Sequence, residues 1–119
     1  HIINLELRDK KKRNSLMVAE ENRQIDLHAL PDLLGTGRLS FGSADRLLEN
    51  LGIRPGAVSP LSMITGVKHG VEIFIDSGLK NCRKLYVHPL VNDRTLEIDM
   101  DGLDVFFNKI GVGPTWVVL

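Results

Sequence analysis

The sequence predicts an α+β domain in which a mixed, largely antiparallel sheet packs with about three short helices. Three observations lead there. Apolar runs of strand length arrive in bursts, segments with leucine or phenylalanine at helical spacing interrupt them, and a glycine closes each helical segment.

Taken in order, Ile2 to Leu7 and Ser15 to Val18 flank the charged stretch Arg8-Asp9-Lys10-Lys11-Lys12-Arg13-Asn14, a hairpin pattern with a long turn. Asp26 is placed to N-cap a helix carrying Leu27, Leu30, Leu33 and Leu34, with Gly35 as its stop. Pro31 falls inside that pattern and predicts a kink or a late restart. Arg38 to Phe41 is a short strand. Ser43 then caps a helix with Leu47, Leu48 and Leu51 inward and Gly52 at its end. Val71 to Asp76 alternates as a strand with unequal faces, Val71, Ile73 and Ile75 opposing Glu72 and Phe74. Lys84 to Val87 is a strand ended by His88-Pro89, and Arg94 to Ile98 follows the turn Asn92-Asp93. Asp101 or Asp99 caps the last helix, where Leu103, Phe106, Phe107 and Ile110 recur at i, i+3, i+4 and i+7. Gly111 ends it, and Thr115 to Leu119 is a terminal strand.

Composition narrows the function classes. The 119 residues predict one domain, 1–119, and 43% apolar with 25% charged residues is ordinary for a globular chain. Lysine plus arginine number 15 and aspartate plus glutamate 15, so global charge gives no support to a non-specific nucleic-acid binder, while a local basic patch stays open. No apolar run nears the roughly 20 residues that span a bilayer, and no signal peptide is apparent, so no membrane partner is expected. Cys82 is the sole cysteine and can form no internal disulfide, which points to a cytoplasmic setting. The chain opens directly on a strand-like run without an initiator methionine, and an N-terminal segment is expected to be missing.

The most constrained stretch is Gly52-Ile53-Arg54-Pro55-Gly56-Ala57-Val58-Ser59-Pro60. Its glycines and prolines would hold the remaining N–H groups in set directions, as suits polarising a carbonyl, although the same residues also serve an ordinary helix-to-strand connection. His88, at a strand end and biased toward extended backbone by Pro89, is the one histidine with a functional placement; His28 and His69 read as solvated, and His1 sits at a chain end. No histidine or cysteine pair has zinc-ligand spacing, so no metal is expected. Cys82 beside Arg83 is either a packed small residue or a thiol of lowered pKa. The cluster Lys10, Lys11, Lys12 and Arg13 is either a solvated hairpin tip or a contact to RNA phosphates.

The ordered set Asn4-Leu5-x-Leu7-Arg8-Asp9-Lys10-Lys11, Ile25-Asp26-Leu27-x-Ala29-Leu30, Leu33-Leu34-Gly35, Arg38-Leu39-Ser40-Phe41, Gly52-x-x-Pro55-Gly56-x-Val58-Ser59-Pro60 and His88-Pro89-Leu90-Val91-Asn92 resembles the free-standing prolyl-tRNA editing proteins. These are relatives of the YbaK domain and of the editing insertion of bacterial prolyl-tRNA synthetases. The resemblance runs from about Asn4 to the C-terminus and implies a cytoplasmic deacylase of translation fidelity, a hydrolase removing alanine from mischarged proline tRNA. It implies that the Gly56 to Pro60 loop surrounds the aminoacyl ester, with Gly56 among the catalytic positions and Ala57, Val58, Ser59 and Pro60 binding substrate. It places His88 at the pocket edge and Asn4 where it would hold the substrate's amino group or ribose. Lys10 to Arg13 become a tRNA contact, no cofactor is implied, and aminoacylated proline tRNA is the expected partner, with prolyl-tRNA synthetase a second candidate. An inactive binding module of the same fold is the alternative. Two departures stand out: the lysine that family members carry directly before the asparagine is Ile3 here, at a position expected to face the ester pocket, and members have a longer N-terminal region.

Overall fold

A computed structural model of the chain describes residues 2–26, 28–54, 57–82, 84–87 and 96–119. Strand β1 (Ile2–Arg8) pairs antiparallel with β2 (Asn14–Glu20), in register from Ile2 opposite Glu20 to Arg8 opposite Asn14. The turn is built on Asp9, whose carboxylate accepts from the Arg13 amide at 2.9 Å and from Arg13 Nε at 2.7 Å, while Lys12 takes a left-handed φ of 64°. The short strand β3 (Ser40–Phe41) adds antiparallel to β1. On the other side β4 (Glu72–Asp76) pairs parallel with β2, and β7 (Thr115–Val117) parallel with β4, giving the order β3-β1-β2-β4-β7. A separate antiparallel ribbon joins β5 (Lys84–Val87) to β6 (Leu96–Asp99). The sheet is mixed and largely antiparallel, as the sequence predicts.

Helix α1 (Leu30–Leu34) starts later than its leucine pattern. Asp26 caps a turn instead: its carboxylate accepts from the His28 amide at 2.9 Å and its carbonyl from the Ala29 and Leu30 amides. Pro31 then lies in the first helical turn, where its missing N–H costs nothing. Helix α2 (Ala44–Leu51) is capped by Ser43, whose hydroxyl accepts from the Arg46 amide at 3.2 Å, and stopped by Gly52 at φ 69°. Leu47 and Leu51 are buried, but Leu48 is 62% exposed, which corrects its inward placement. One residue past Leu47 is a 100° rotation, and the buried stripe of α2 is too narrow to include it.

The Gly52 to Pro60 stretch does not lead directly to a strand. It enters a 3-10 turn at Pro60–Ser62, helix α3 (Met63–Gly66) and a second 3-10 turn at Val67–His69 before β4. Helix α4 (Met100–Ile110) is capped by Asp99, which accepts from the Gly102 amide at 2.6 Å; Leu103 and Phe107 are buried, Phe106 and Ile110 half-buried.

Two apolar clusters form on the two faces of the sheet. Leu16, Val18, Ile73 and Ile75 meet Leu47 and Leu51 of α2, Met63 of α3, and Leu103 and Phe107 of α4. Leu7, Met17, Ala19 and Phe74 meet Leu30 of α1, Leu39 and Val117. β4 is therefore buried on both faces, Phe74 included, rather than having one face unlike the other, because it lies inside a sheet covered on both sides.

Phe107→Ala is expected to lower stability by about 3–5 kcal/mol through cavity formation, whereas Leu48→Ala should stay within roughly 0.5 kcal/mol of the parent. Denaturant unfolding of both variants checks the pair.

Candidate functional site

The loop entering α3 is tied to itself. The Ser59 hydroxyl accepts from the Leu61 amide at 3.1 Å, the Ser59 amide donates to the Ser62 hydroxyl at 3.1 Å, and the Ser62 amide donates to the Ser59 carbonyl at 2.9 Å. Ser59 and Ser62 are fully buried, Pro60 is buried, and Val58 packs into the first apolar cluster. The Ala57 amide donates to the Arg54 carbonyl at 3.1 Å. So the Ala57 and Ser59 donors, expected to aim outward, are used inside the loop. Among the described residues 57–60, the N–H without a partner is that of Val58. Gly56 and Pro55 lie outside the described residues.

Alternation along β1 decides which of its side chains share a face with this loop. Ile2 packs on the first cluster, the one that holds Val58, Ala57 and Leu61. Ile3, Leu5 and Leu7 pack on the second. Asn4 and Glu6 therefore project to the loop's side of the sheet, opposite Val18 and Leu16 of β2. Ile3 projects to the other side, correcting the expectation that this position faces a polar pocket shared with Asn4. β5 contacts β1 and sends Leu85 and Val87 into the first cluster. His88, next in the chain, lies outside the described residues, as do Pro89 to Asn92 and Arg83.

Three side-chain oxygens of this inner row lack partners among the described residues. Asn4 Oδ1 and both Glu6 carboxylate oxygens are buried with no hydrogen-bond partner among the described residues, and Asn14 Oδ1 is in the same condition nearer the hairpin tip. Glu6 as a whole is only 5% exposed. Burial pushes its carboxyl above the usual carboxylate range; the positive charges of Arg46 and Arg8 offset part of that. The Arg46 guanidinium donates to the Phe41 carbonyl. Asp76, equally buried, shows the satisfied alternative: it accepts from the Glu20 amide, Arg23 Nε and the Gly78 amide at 3.3, 3.1 and 3.0 Å. Glu6 carries no functional signal in the sequence, because Leu5 and Leu7 on either side suggest a solvated even-numbered face.

At the hairpin tip Lys10, Lys11, Lys12 and Arg13 are exposed. Arg13 is bound by the buried Asp9 carboxylate. Burial raises the Asp9 pKa, but the hydrogen bonds and charge of Arg13, together with the Lys11 amide, outweigh it and hold the carboxyl below its usual range. Lys10, Lys11 and Lys12 are the freer cations. Among the described residues no three histidine, cysteine, aspartate or glutamate side chains gather as metal ligands, and no helix is long and apolar enough to cross a membrane. Cys82 is a half-buried free thiol beside the first cluster.

The aminoacyl-tRNA editing domain matches residues 2–106, a span that includes both the loop and the inner row of β1. The chain belongs to that family. It is 38% identical over 102 residues to the prolyl-tRNA editing protein ProX of Acetoanaerobium sticklandii, covering 85% of this chain and 62% of that protein. To the mouse prolyl-tRNA synthetase associated domain-containing protein 1 it is 33% identical over 119 residues, covering 96% of this chain and 70% of the relative. A solved structure described as a candidate trans-editing enzyme for prolyl tRNA synthetase superposes with a TM-score of 0.74 at 16% identity, over 99% of this chain and 69% of that one. The hypothetical protein APE2540 gives a TM-score of 0.73, also at 16% identity, over 98% of this chain and 72% of its own. These likenesses establish the editing-domain fold that the sequence predicts.

Two outcomes follow from the geometry. Because the folded-state pKa of Glu6 is raised, its contribution to stability is complete below the unfolded value and is lost as pH rises through the folded one. Glu6→Gln should remove that loss, leaving the variant more stable than the parent at pH 7 and with a flatter stability–pH curve, measured by urea unfolding between pH 4 and 8. Ile3→Lys directs an ammonium at the second apolar cluster, so it should lower the melting temperature without increasing any hydrolytic rate.

Proposed function

We propose that the protein is a trans-editing hydrolase that cleaves a mischarged amino acid, alanine, from proline tRNA. The observation that carries the reading is the editing-domain match across residues 2–106, together with a family-like loop and Asn4 on one side of the sheet. The name of the ProX relative supports the proline tRNA assignment. The chain spans 62% of that relative's length, and substrate and partner are therefore part of the proposal.

Hydrolysis needs a positioned water and donors aimed at the developing oxyanion. Water attacks the ester carbonyl carbon, the bond to the ribose oxygen breaks, the hydroxyl stays on the released amino acid, and the proton passes to the ribose oxygen. In this reading the Val58 N–H, left over when the Arg54 carbonyl has taken the Ala57 amide and the Ser62 hydroxyl the Ser59 amide, is directed at the ester carbonyl oxygen. Val58 and Pro60 supply apolar walls, Ala57 and Ser59 the backbone that sets their spacing, and Asn4 a polar contact from the sheet. His88 keeps the role at the pocket edge that the family resemblance implies. No covalent nucleophile is needed, so Cys82 has no part. Along β1, at about 3.3 Å per residue, the cationic tip lies roughly 15–20 Å from Asn4, a separation suited to holding tRNA phosphates while the charged 3′ end occupies the site.

The alternative is a module of the same fold that binds aminoacyl-tRNA without hydrolysing it; Ile3, on the face of the sheet away from the loop, does not decide between the two. Deacylation of alanyl- and prolyl-charged proline tRNA, alongside binding of each, separates the two. Rapid loss of alanine with proline spared supports the hydrolase, binding without turnover establishes the module, and equal loss of both or of neither removes the editing assignment. Replacing Lys10, Lys11 and Lys12 by alanine should weaken tRNA binding and flatten its dependence on salt by nearly one logarithmic unit for each phosphate no longer neutralised. An unchanged slope returns the cluster to a solvated turn.

A further inference from the structure

We propose that Glu6 and Asn4 form a cation subsite for the protonated α-amino group of the aminoacyl ester. The inference rests on the editing reading above and extends it to a residue that the loop and histidine motifs do not include. Three buried oxygens without partners among the described residues lie in one row of β1: Asn4 Oδ1, Glu6 Oε1 and Glu6 Oε2. All are acceptors. They belong to residues two apart on a strand, hence on the same face, about 6.6 Å apart along the backbone. A buried carboxylate left without donors is costly, and the fold shows at Asp76 that it can supply three when the role is structural.

Around Glu6 that supply is withheld. Arg46 is nearby but donates to the Phe41 carbonyl, and neither it nor Arg8 is within ion-pair distance of the carboxylate among the described residues. The row is complementary to a small group that brings donors and positive charge. An ammonium brings three N–H bonds to three acceptors, and the α-amino group is the cation the proposed substrate carries beside its ester. Gly42 shapes the seat: its amide donates to the Glu6 carbonyl at 2.8 Å, and a Cβ built there would overlap Glu6 Oε2.

The test uses two stable adenosine amides, 3′-alanylamido-3′-deoxyadenosine and its 3′-propionylamido counterpart, which lacks only the amino group. Calorimetric titration at pH 7 into the wild-type protein should show about tenfold or greater preference for the alanyl probe. Glu6→Gln should remove most of that preference and leave the propionyl affinity unchanged, and Gly42→Ala, which keeps the charge but displaces the carboxylate, should do the same. A wild-type protein that binds both probes equally overturns the subsite while leaving the editing reading intact. So does a Glu6→Gln variant that retains the preference, or that loses both affinities alike. If the wild-type protein binds neither probe and deacylates no aminoacyl-tRNA, the editing reading falls and the subsite falls with it.

Discussion

Covering both faces of the central sheet is the constraint on which the rest of the molecule depends. α2, α3 and α4 close one face and α1 the other, so a polar side chain that is buried on β1, β2 or β4, as Glu6 and Asp76 are, is cut off from bulk water except through an opening between these covers. Each such side chain must then find protein donors or await a ligand. Asp76 and Asp9 take the first course. Asp76 joins the end of β4 to Arg23 and to the following 3-10 turn, and Asp9 organises the hairpin turn through Arg13. Both aspartates are part of how the chain reverses direction. Glu6 and Asn4 are in mid-strand, where no chain reversal uses them.

The loop before α3 responds to the same pressure in a different way. Its two serines are fully buried, and each satisfies the other's segment: one hydroxyl accepts the Leu61 amide, the other the Ser59 amide. This reciprocal pair fixes the entry to the 3-10 turn with Pro60 in its first position, where no N–H is missed. The consequence is selective. Once Ala57 and Ser59 are tied down, residues 57–60 retain one amide, that of Val58, without a partner among the described residues, and the surrounding hydrogen bonds and burial fix its place in the loop.

Much of this fold could be read along the chain because local chemistry and tertiary structure agree. Gly35, Gly52 and Gly111 all take left-handed φ at helix ends, Ser43 and Asp99 cap the helices assigned to them, and the spacing of Leu103 and Phe107 marks the buried side of α4. What could not be read depended on two-sided burial. Phe74 in β4 and Glu6 in β1 both occupy the less apolar phase of an alternating strand, the phase that faces water in a one-sided sheet. Leu61 to Ile64 lacks helical periodicity because its helical turns are short and enclosed. The adjacency of residues 3 and 4 in the sequence suggested a shared pocket, but a strand's period of two separates them onto opposite faces. The loop was legible as constrained, yet only its hydrogen bonds reveal that the serines use most of the donors.

The polarity of the two sides then gains a chemical meaning under the proposed editing reaction. The loop offers an N–H and the sheet offers oxygens, so one side is suited to an acceptor and the other to a donor. An aminoacyl ester has that arrangement within three bonds: a carbonyl oxygen that gains negative charge during hydrolysis and, on the neighbouring carbon, an ammonium that is already positive. Holding the ammonium fixes the carbonyl's orientation before water attacks, and this lowers the entropic part of the barrier without any covalent intermediate. A free amide on the loop without the acceptors on β1 would hold the ester less specifically, and the acceptors alone would bind a cation without activating it. The buried cost of Glu6 in the unliganded fold is thus the counterpart of its use: a carboxylate already satisfied by protein donors would have nothing left for the substrate.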